Sequence, residues 1–236
     1  AAVLAHLAED PTGIVREKVA RNASTPVEFL KKLLRDPVPV VRDGVAENVS
    51  TPVEILSELA GDQKQMIRTA VANNSNTSSE ILGFLADDTD PYVRKAVARN
   101  VGTPPEVLAR LSKDEDWRVC EGTATNPSSP EEVLEHLACD KDKYVRKAVA
   151  SNRGTPPEVL ARMIDDREWL VRENVARNEN APTEALLVLA HDSEWRVAKQ
   201  AVINPNMTRE ALSTLVSASN YRICYKARVA LLGLSQ

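Results

Sequence analysis

Residues 88–111 read DTDPYVRKAVARNVGTPPEVLARL, and the pattern of this stretch recurs along the chain at a fixed period. Its Asn100 belongs to a column of asparagines spaced by 26 residues without insertion or deletion: Asn22, Asn48, Asn74, Asn100, Asn126, Asn152, Asn178 and Asn204. Asp88, Glu106 and Leu108 each belong to a further column of identical residues with the same period. Nine units of 26 residues fit within the 236 residues of the chain. The sequence therefore predicts one repeat array over residues 1–236 and no second domain.

The first half of each unit has the residues of a capping box followed by a helix. In the unit that starts at Thr25, the threonine hydroxyl would accept from a backbone N–H and Glu28 would reach back to the threonine amide. Apolar residues then follow at i, i+1, i+4 and i+5 spacing: Phe29, Leu30, Leu33 and Leu34. This spacing predicts an α-helix of about three turns.

The second half of each unit predicts a shorter helix, either α or 3₁₀, which ends at the asparagine. In the same unit its apolar residues are Val40, Val41 and Val45, and Pro37 and Asn48 limit its length. No stretch alternates apolar and polar residues over the length of a strand, so we expect no β-sheet. Two helices cannot bury both apolar faces alone, and stacked units would form an all-α solenoid.

The repeated polar residues are interpreted as scaffold, because a catalytic residue is not needed once in every unit. Asn tolerates left-handed backbone at a helix end and could tie adjacent units together. An arginine follows the Asp column by six residues, which predicts a ladder to carboxylates of its own and the adjacent unit. Its members are Arg16, Arg42, Arg68, Arg94, Arg146 and Arg172.

Three units depart from this arginine column in the same way. Cys120, Ala198 and Cys224 occupy the arginine position, and each follows an aromatic–Arg pair. One hypothesis is that the small residue vacates space and the relocated arginine enters or replaces the ladder. The alternative is that these residues pack the same corner in another way.

Aromatic residues accumulate at one repeat position in the C-terminal part of the chain. Aromatic and arginine side chains are enriched at binding hot spots, so this position is a candidate partner-binding stripe. The fold tolerates other residues there, such as Gly13 and Lys143, and we therefore expect partly exposed rings. The candidate partner-binding residues are Trp117, Arg118, Trp169, Trp195, Arg196, Tyr221 and Arg222.

Composition and motifs narrow the function classes. The chain carries 30 Lys and Arg against 34 Asp and Glu, a net charge of −4, which makes nucleic acid an unlikely partner. No apolar run has the length of a membrane span. Three cysteines suit a reducing, cytoplasmic setting better than a disulfide scaffold. We find no catalytic triad, phosphate loop or metal-ligand spacing, and we expect no catalytic residue, no metal and no cofactor.

The repeat resembles the leucine-rich repeat variant family, with features also found in HEAT-like repeats. The resemblance rests on the Asp88, Arg94, Asn100 and Glu106 columns together with the Val-Ala and Leu positions between them. It implies a right-handed superhelix of alternating α- and 3₁₀-helices without β-strands. A founding member of the family carries an iron–sulfur cluster held by clustered cysteines. This chain has no such cysteine cluster, so that activity is not transferred to it.

These observations predict a non-enzymatic protein–protein interaction scaffold. Its extended repeat surface would bind a protein or peptide partner. Two other functions remain open from sequence. One is a helical-repeat protein that binds nucleic acid, and the other is an accessory module of a redox or iron–sulfur protein. We expect a monomer without membrane contact.

Overall fold

The computed structural model describes residues 2–217 and 221–233, and these residues form 18 α-helices and no β-strand. The predicted all-α architecture, with two helices in each 26-residue repeat, is confirmed. By their internal contacts the residues divide into two compact units, Ala1–Ser128 and Ser129–Gln236, and each unit is described by itself.

The first unit contains ten helices. Helices of six or seven residues alternate with helices of nine residues, and their bounds are α1 (Ala2–Leu7), α2 (Gly13–Arg21), α3 (Val27–Leu33), α4 (Pro39–Glu47), α5 (Val53–Leu59), α6 (Gln65–Asn73), α7 (Ser79–Leu85), α8 (Pro91–Arg99), α9 (Pro105–Leu111) and α10 (Trp117–Thr125).

The second unit contains eight helices with the same alternation, except that its last helix has 13 residues. Their bounds are α11 (Glu131–Leu137), α12 (Lys143–Ser151), α13 (Pro157–Arg162), α14 (Trp169–Arg177), α15 (Thr183–Leu189), α16 (Trp195–Ile203), α17 (Arg209–Leu215) and α18 (Tyr221–Gly233).

The predicted order of helix lengths is wrong. The helix that ends before each asparagine has nine residues, whereas the helix after each Thr-Pro pair has six or seven. Pro39 is the first residue of α4, where a backbone N–H would have no helical partner, so the missing N–H of proline costs nothing. The prolines therefore do not shorten this helix as the sequence suggested. Both helices are α-helical, and the described residues contain no 3₁₀ segment.

The core of each unit consists of aliphatic columns at the repeat spacing. In the first unit Leu30, Leu56, Leu82 and Leu108 are fully buried, and in the second unit Leu134, Leu160 and Leu186 are fully buried. The nine-residue helices of successive repeats pack against each other and add buried valines such as Val41 and Val93. Each repeat therefore buries its apolar face against its neighbours, as stacked repeats must.

The asparagine column ties each repeat to the one before it. The Asn74 side-chain amide donates to the carbonyl oxygens of Ala46 at 2.7 Å and Asn48 at 3.0 Å. Its side-chain oxygen accepts from the N–H of Asn76 at 2.9 Å. The same three bonds recur at Asn48, Asn100 and Asn126 in the first unit and at Asn178 and Asn204 in the second.

The expected left-handed conformation of these asparagines is wrong. Asn74 has φ −71° and ψ 130°, which is extended backbone, and no described residue has a positive φ. The extended conformation aims the side chain at the preceding repeat. Asparagine is needed here because one amide supplies two donors and one acceptor at the same time.

The threonine column also has a different role from the predicted capping box. Thr25 lies one residue before the N-cap position, which is Pro26, and its hydroxyl donates to the Val19 carbonyl at 2.6 Å. Thr51, Thr77, Thr103 and Thr155 repeat this bond. Threonine therefore satisfies a carbonyl at the end of the preceding helix, where four carbonyls lack helical partners.

The glutamate column does not complete a capping box either. All eight glutamates, from Glu28 to Glu210, are exposed in the first turn of the shorter helices. A carboxylate at that place interacts favourably with the positive end of the helix dipole. Among the shorter helices, side-chain caps occur where Ser78 and Thr208 stand at the proline position, with bonds of 3.4 Å and 3.2 Å from the N–H three residues on.

The arginine column forms a ladder between successive repeats within each unit. The Arg94 guanidinium donates to both carboxylate oxygens of Asp114, at 2.6 Å and 2.9 Å. It also donates to the backbone carbonyl of Asp88 at 2.8 Å. Equivalent pairs are Arg16–Asp36, Arg42–Asp62 and Arg68–Asp88 in the first unit and Arg146–Asp166 and Arg172–Asp192 in the second.

The ladder is confirmed between repeats but not within them. The arginine contacts the carboxylate of the following repeat, whereas within its own repeat it contacts backbone carbonyls, which for Arg94 are those of Asp88 and Thr89. The reason is that the carboxylate of each repeat's own aspartate is already bonded to other groups. Asp88, for example, accepts from the N–H of Asp90 at 2.9 Å and from the arginine of the preceding repeat.

The ladder changes the pKa values of both partners. Burial alone would raise the pKa of Asp114, but hydrogen bonds from Arg94 and from the Asp116 N–H outweigh burial and lower it. The bond to Asp114 raises the pKa of Arg94, although burial opposes this. The charged forms of both groups are therefore favoured in the folded protein.

We predict that replacing one ladder asparagine is costly. Asn74→Ala leaves the buried carbonyls of Ala46 and Asn48 without their side-chain donor, and it should lower the free energy of unfolding by about 2–4 kcal/mol. Urea unfolding followed by circular dichroism measures this change. The adjacent Asn73 is exposed at the end of α6, so Asn73→Ala should change stability by less than about 0.5 kcal/mol. Equal losses in the two variants would contradict this account of the column.

A second prediction separates ladder arginines from other arginines of the same helix. Arg94→Ala removes a bidentate partner from an aspartate that is 9% exposed, and it should cost about 1–3 kcal/mol. Arg99 on α8 also meets a carboxylate of the next repeat, Glu121, but its side chain is 49% exposed. Arg99→Ala should therefore cost less than about 1 kcal/mol. Thermal unfolding of Arg94→Ala that matches the parent would mean that the ladder contributes nothing.

A third prediction concerns acid. Since the folded pKa of Asp114 lies below its unfolded value of about 3.9, its contribution is complete above that value and is lost as pH falls through the folded pKa. The five other ladder aspartates have the same direction of pKa shift. Stability should fall steeply below about pH 4, and Asp114→Asn should show a shallower fall in the same urea titration. A parallel pH dependence in parent and variant would argue against this assignment.

Candidate functional site

The ladder is interrupted where the sequence departs from the arginine column. Cys120 is buried, and its Sγ lies 3.3 Å from the carbonyl oxygen of Asp114, the carbonyl equivalent to the one that Arg94 contacts. Ala198 is also buried. The Sγ of Cys224 lies 2.9 Å from the carbonyl oxygen of Val216. These small residues fill the position without supplying a cation.

The relocated arginines do not enter the ladder, so that hypothesis is wrong. Arg118 pairs with Asp116 in its own repeat at 3.2 Å. The Arg196 guanidinium lies over the Trp169 ring at 5.1 Å, and that of Arg222 lies over the Trp195 ring at 5.7 Å. At the start of a helix these side chains are carried outward, so that Arg196 and Arg222 reach the aromatic ring of the preceding repeat, whereas Arg118 stays beside Trp117 of its own repeat.

A surface therefore forms in which each arginine of one repeat covers the aromatic ring of the preceding repeat. We call Trp169, Trp195, Arg196, Tyr221 and Arg222 the aromatic–arginine ridge. Guanidinium groups over indole rings make favourable cation–π contacts. Trp169 lies at the start of α14, Trp195 at the start of α16 and Tyr221 at the start of α18, so the repeat period sets their spacing.

The rings at this repeat position are partly exposed. Trp117 and Trp169 are half-buried, Trp195 is 37% exposed, and Tyr221 is 79% exposed. This agrees with the expectation that the rings are not core residues. The exposure increases toward the C-terminal repeat within the second unit.

The structure brings together five of the seven candidate residues. The ridge belongs to the second unit, whereas Trp117 and Arg118 belong to the first unit. There Arg118 lies 5.2 Å from the centroid of the Trp117 ring beside it. The bond to Asp116 partly offsets its charge. The two groups are therefore treated as separate surfaces.

Three further residues, which the repeat pattern did not reveal, extend the ridge: Lys199, Tyr225 and Lys226. Tyr225 stacks on Tyr221 with ring centroids 6.4 Å apart, and the Lys199 ammonium lies 5.8 Å from the Trp195 ring centroid. A shallow depression is lined by Trp195, Tyr221, Arg222, Tyr225 and Lys226. Residues four apart face the same side of a helix, and Lys199, Tyr225 and Lys226 each stand four residues after a ridge residue, so this spacing would have identified them.

The C-terminal part of the ridge, from Trp195 onward, lies in a segment whose charge is opposite to that of the whole chain. Residues 195–236 contain six cationic residues and a single acidic residue, Glu210. The six are Arg196, Lys199, Arg209, Arg222, Lys226 and Arg228. The net charge of the chain is −4, so the remaining residues are acidic on balance. The ridge therefore combines aromatic surface with local positive charge.

Neither a metal site nor a membrane segment was found in the described part of the chain. No group of three or more His, Cys, Asp or Glu side chains is placed to hold a metal ion there. Within residues 2–217 and 221–233, no helix is long and apolar enough to cross a membrane. Cys120, Cys139 and Cys224 are free thiols.

Comparison with known families identifies the repeat. The model of the leucine rich repeat variant family matches residues 91–116, 145–168 and 169–194. The third match begins at Trp169, whereas Trp117 and Trp195 each lie one residue beyond the end of a match. A search of curated protein sequences found no significant match.

Solved structures share the fold. A protein described as a leucine-rich repeat variant with a novel repetitive structural motif is 28% identical, with a TM-score of 0.69 over 94% of this chain and 87% of that chain. The Escherichia coli protein YibA is 16% identical, with a TM-score of 0.50 over 98% of this chain and 92% of that chain. The second likeness concerns the fold alone.

Proposed function

From the match of three of its repeats to the leucine rich repeat variant family, we propose that this chain is a non-enzymatic scaffold for protein–protein interaction. Repeat proteins of this kind offer long surfaces on which the variable positions choose the partner. The proposal takes the ladder columns as scaffold and the departures from them as the recognition surface.

The observation that supports this proposal is the partial exposure of the aromatic–arginine ridge. Trp195 and Tyr221 expose ring surface to solvent, although neither ring is required by the repeat pattern. Exposed aromatic residues beside arginines have the composition of binding hot spots. Trp117 and Arg118 are included as a second, smaller contact surface on the first unit.

The proposal also covers the setting of the protein. We infer a partner that is a protein or a peptide, and a chain that works as a monomer in the cytoplasm without a cofactor. Free thiols at Cys120, Cys139 and Cys224 are compatible with a reducing compartment.

We predict that the ridge matters more for binding than for stability. The double variant Trp169→Ala/Trp195→Ala should weaken capture of the partner from source lysate by about tenfold or more, because hot-spot aromatics carry much of the binding energy. Its melting temperature should fall by only a few degrees, since both rings are partly solvated. Quantitative pull-down and thermal unfolding measure the two effects.

Phe84 provides a matched control, because it is an aromatic residue 65% exposed on α7 and lies outside the ridge. Phe84→Ala should leave partner capture unchanged. If the double variant captures the same proteins as the parent at the same yield, the ridge is not the recognition surface.

A further inference from the structure

We propose that the aromatic–arginine ridge binds an extended acidic peptide segment whose two anchoring carboxylates lie three residues apart. This inference rests on the proposed scaffold function and adds the chemistry of the partner. It is drawn from the orientation of the two arginines, the repeat spacing and the local charge.

The first step is the position of the arginine side chains. Arg196 is exposed and lies with its guanidinium over the Trp169 ring, which holds the group at a defined place on the surface. No carboxylate within the described residues forms an ion pair with the Arg196 side chain. A planar guanidinium held in this way presents its N–H edge to a carboxylate, and bidentate pairing is the strong form of that contact.

The second step is the distance between the two anchors. Arg196 and Arg222 occupy the same repeat position on α16 and α18, which pack against each other in the second unit. Packed helices lie about 8–10 Å apart. An extended peptide advances about 3.3 Å per residue, so carboxylates three residues apart match this spacing. The segment between them would lie over the exposed part of Trp195.

The third step is the surrounding charge. Lys199 beside Trp195 and Lys226 beside Tyr221 add positive charge to both ends of this path. The nearest acidic side chain in the sequence, Glu194, accepts from the backbone N–H of Arg196 at 3.3 Å. Apart from Glu194, the charged side chains named along this path are cationic, so a basic segment would meet mostly like charge and an acidic segment mostly complementary charge.

An acidic peptide also suits the ridge better than a nucleic acid strand does. Proteins that bind single-stranded nucleic acid stack its bases on open aromatic faces. Here cations already lie over the Trp169 and Trp195 rings, so these faces are occupied. Outside residues 195–236 the chain is acidic on balance, which would repel a long polyanion. A short acidic segment needs only the local cationic surface.

The test begins with selection of a randomised twelve-residue peptide display library on the full chain. The strongest selected peptide is then synthesised with a fluorescent label, and its binding to the parent and to variants is measured by fluorescence anisotropy. The key variant is Arg196→Glu/Arg222→Glu, in which both exposed anchors reverse charge. A matched control is Arg209→Glu, because Arg209 is an exposed cation of the same basic segment but lies on α17, outside the ridge.

The inference predicts selected peptides with Asp or Glu at positions i and i+3. The double charge reversal should weaken binding by at least about tenfold, and Arg209→Glu should weaken it by less than about threefold. Replacing both peptide carboxylates by amides should have the same effect as the double reversal. Urea unfolding of the variant checks that it is folded.

Four results would overturn the inference. Selected peptides without paired acidic residues, or peptides that bind the parent and the double variant equally, would place recognition elsewhere and leave the scaffold function standing. Failure to select any peptide would exclude an extended peptide ligand, whereas the scaffold function is decided by partner capture with Trp169→Ala/Trp195→Ala. Tighter, ridge-dependent binding of a labelled 20-residue oligothymidine than of the peptide would assign the ridge to nucleic acid.

Discussion

The fixed period of this protein depends on the hydrogen bonds of one side-chain amide in each repeat. Asn74 holds two carbonyl oxygens of the preceding repeat and the N–H of Asn76 in its own loop. The three bonds define where the helix of the preceding repeat ends and where the next loop turns. An insertion between two such asparagines would move the donors away from the carbonyls, which explains why the 26-residue period has no exception.

The arginine ladder stabilises the same stacking from another part of the repeat. Where the ladder is interrupted, an arginine lies on the surface instead of in the ladder. Where Arg94 and its equivalents stay, their guanidinium groups are committed to carboxylates that are buried or half-buried. Where Ala198 stands instead, the arginine two residues earlier lies on the surface over Trp169. The sequence after Ala198 agrees with this change, because position 218 of the aspartate column holds Ala218. At this repeat both ladder partners are absent, whereas the repeat with Cys120 keeps the aspartate of the following repeat, Asp140.

Sequence could predict the parts of the structure that depend on periodicity. The buried Leu30 and Leu33 columns, the absence of strands in the described residues and the Arg–Asp pairing between repeats follow from spacing alone. Parts that depend on local geometry were predicted incorrectly. Thr25 has the composition of a cap, but the extended backbone of Pro26 moves the helix start by one residue and turns the hydroxyl toward Val19. The destination of Arg196 could not be predicted, because it depends on which residue of the neighbouring repeat lies within reach.

Amide hydrogen exchange of the native protein tests most directly whether the asparagine bonds fix the repeat register. The N–H groups of Ser50, Asn76, Gly102 and Ser128 lie in exposed or half-buried loop positions and each donates to the asparagine two residues earlier. We expect these four amides to exchange at least about tenfold more slowly than the unstructured chain, despite their place in loops. Exchange of the four amides at the unstructured rate would contradict the account.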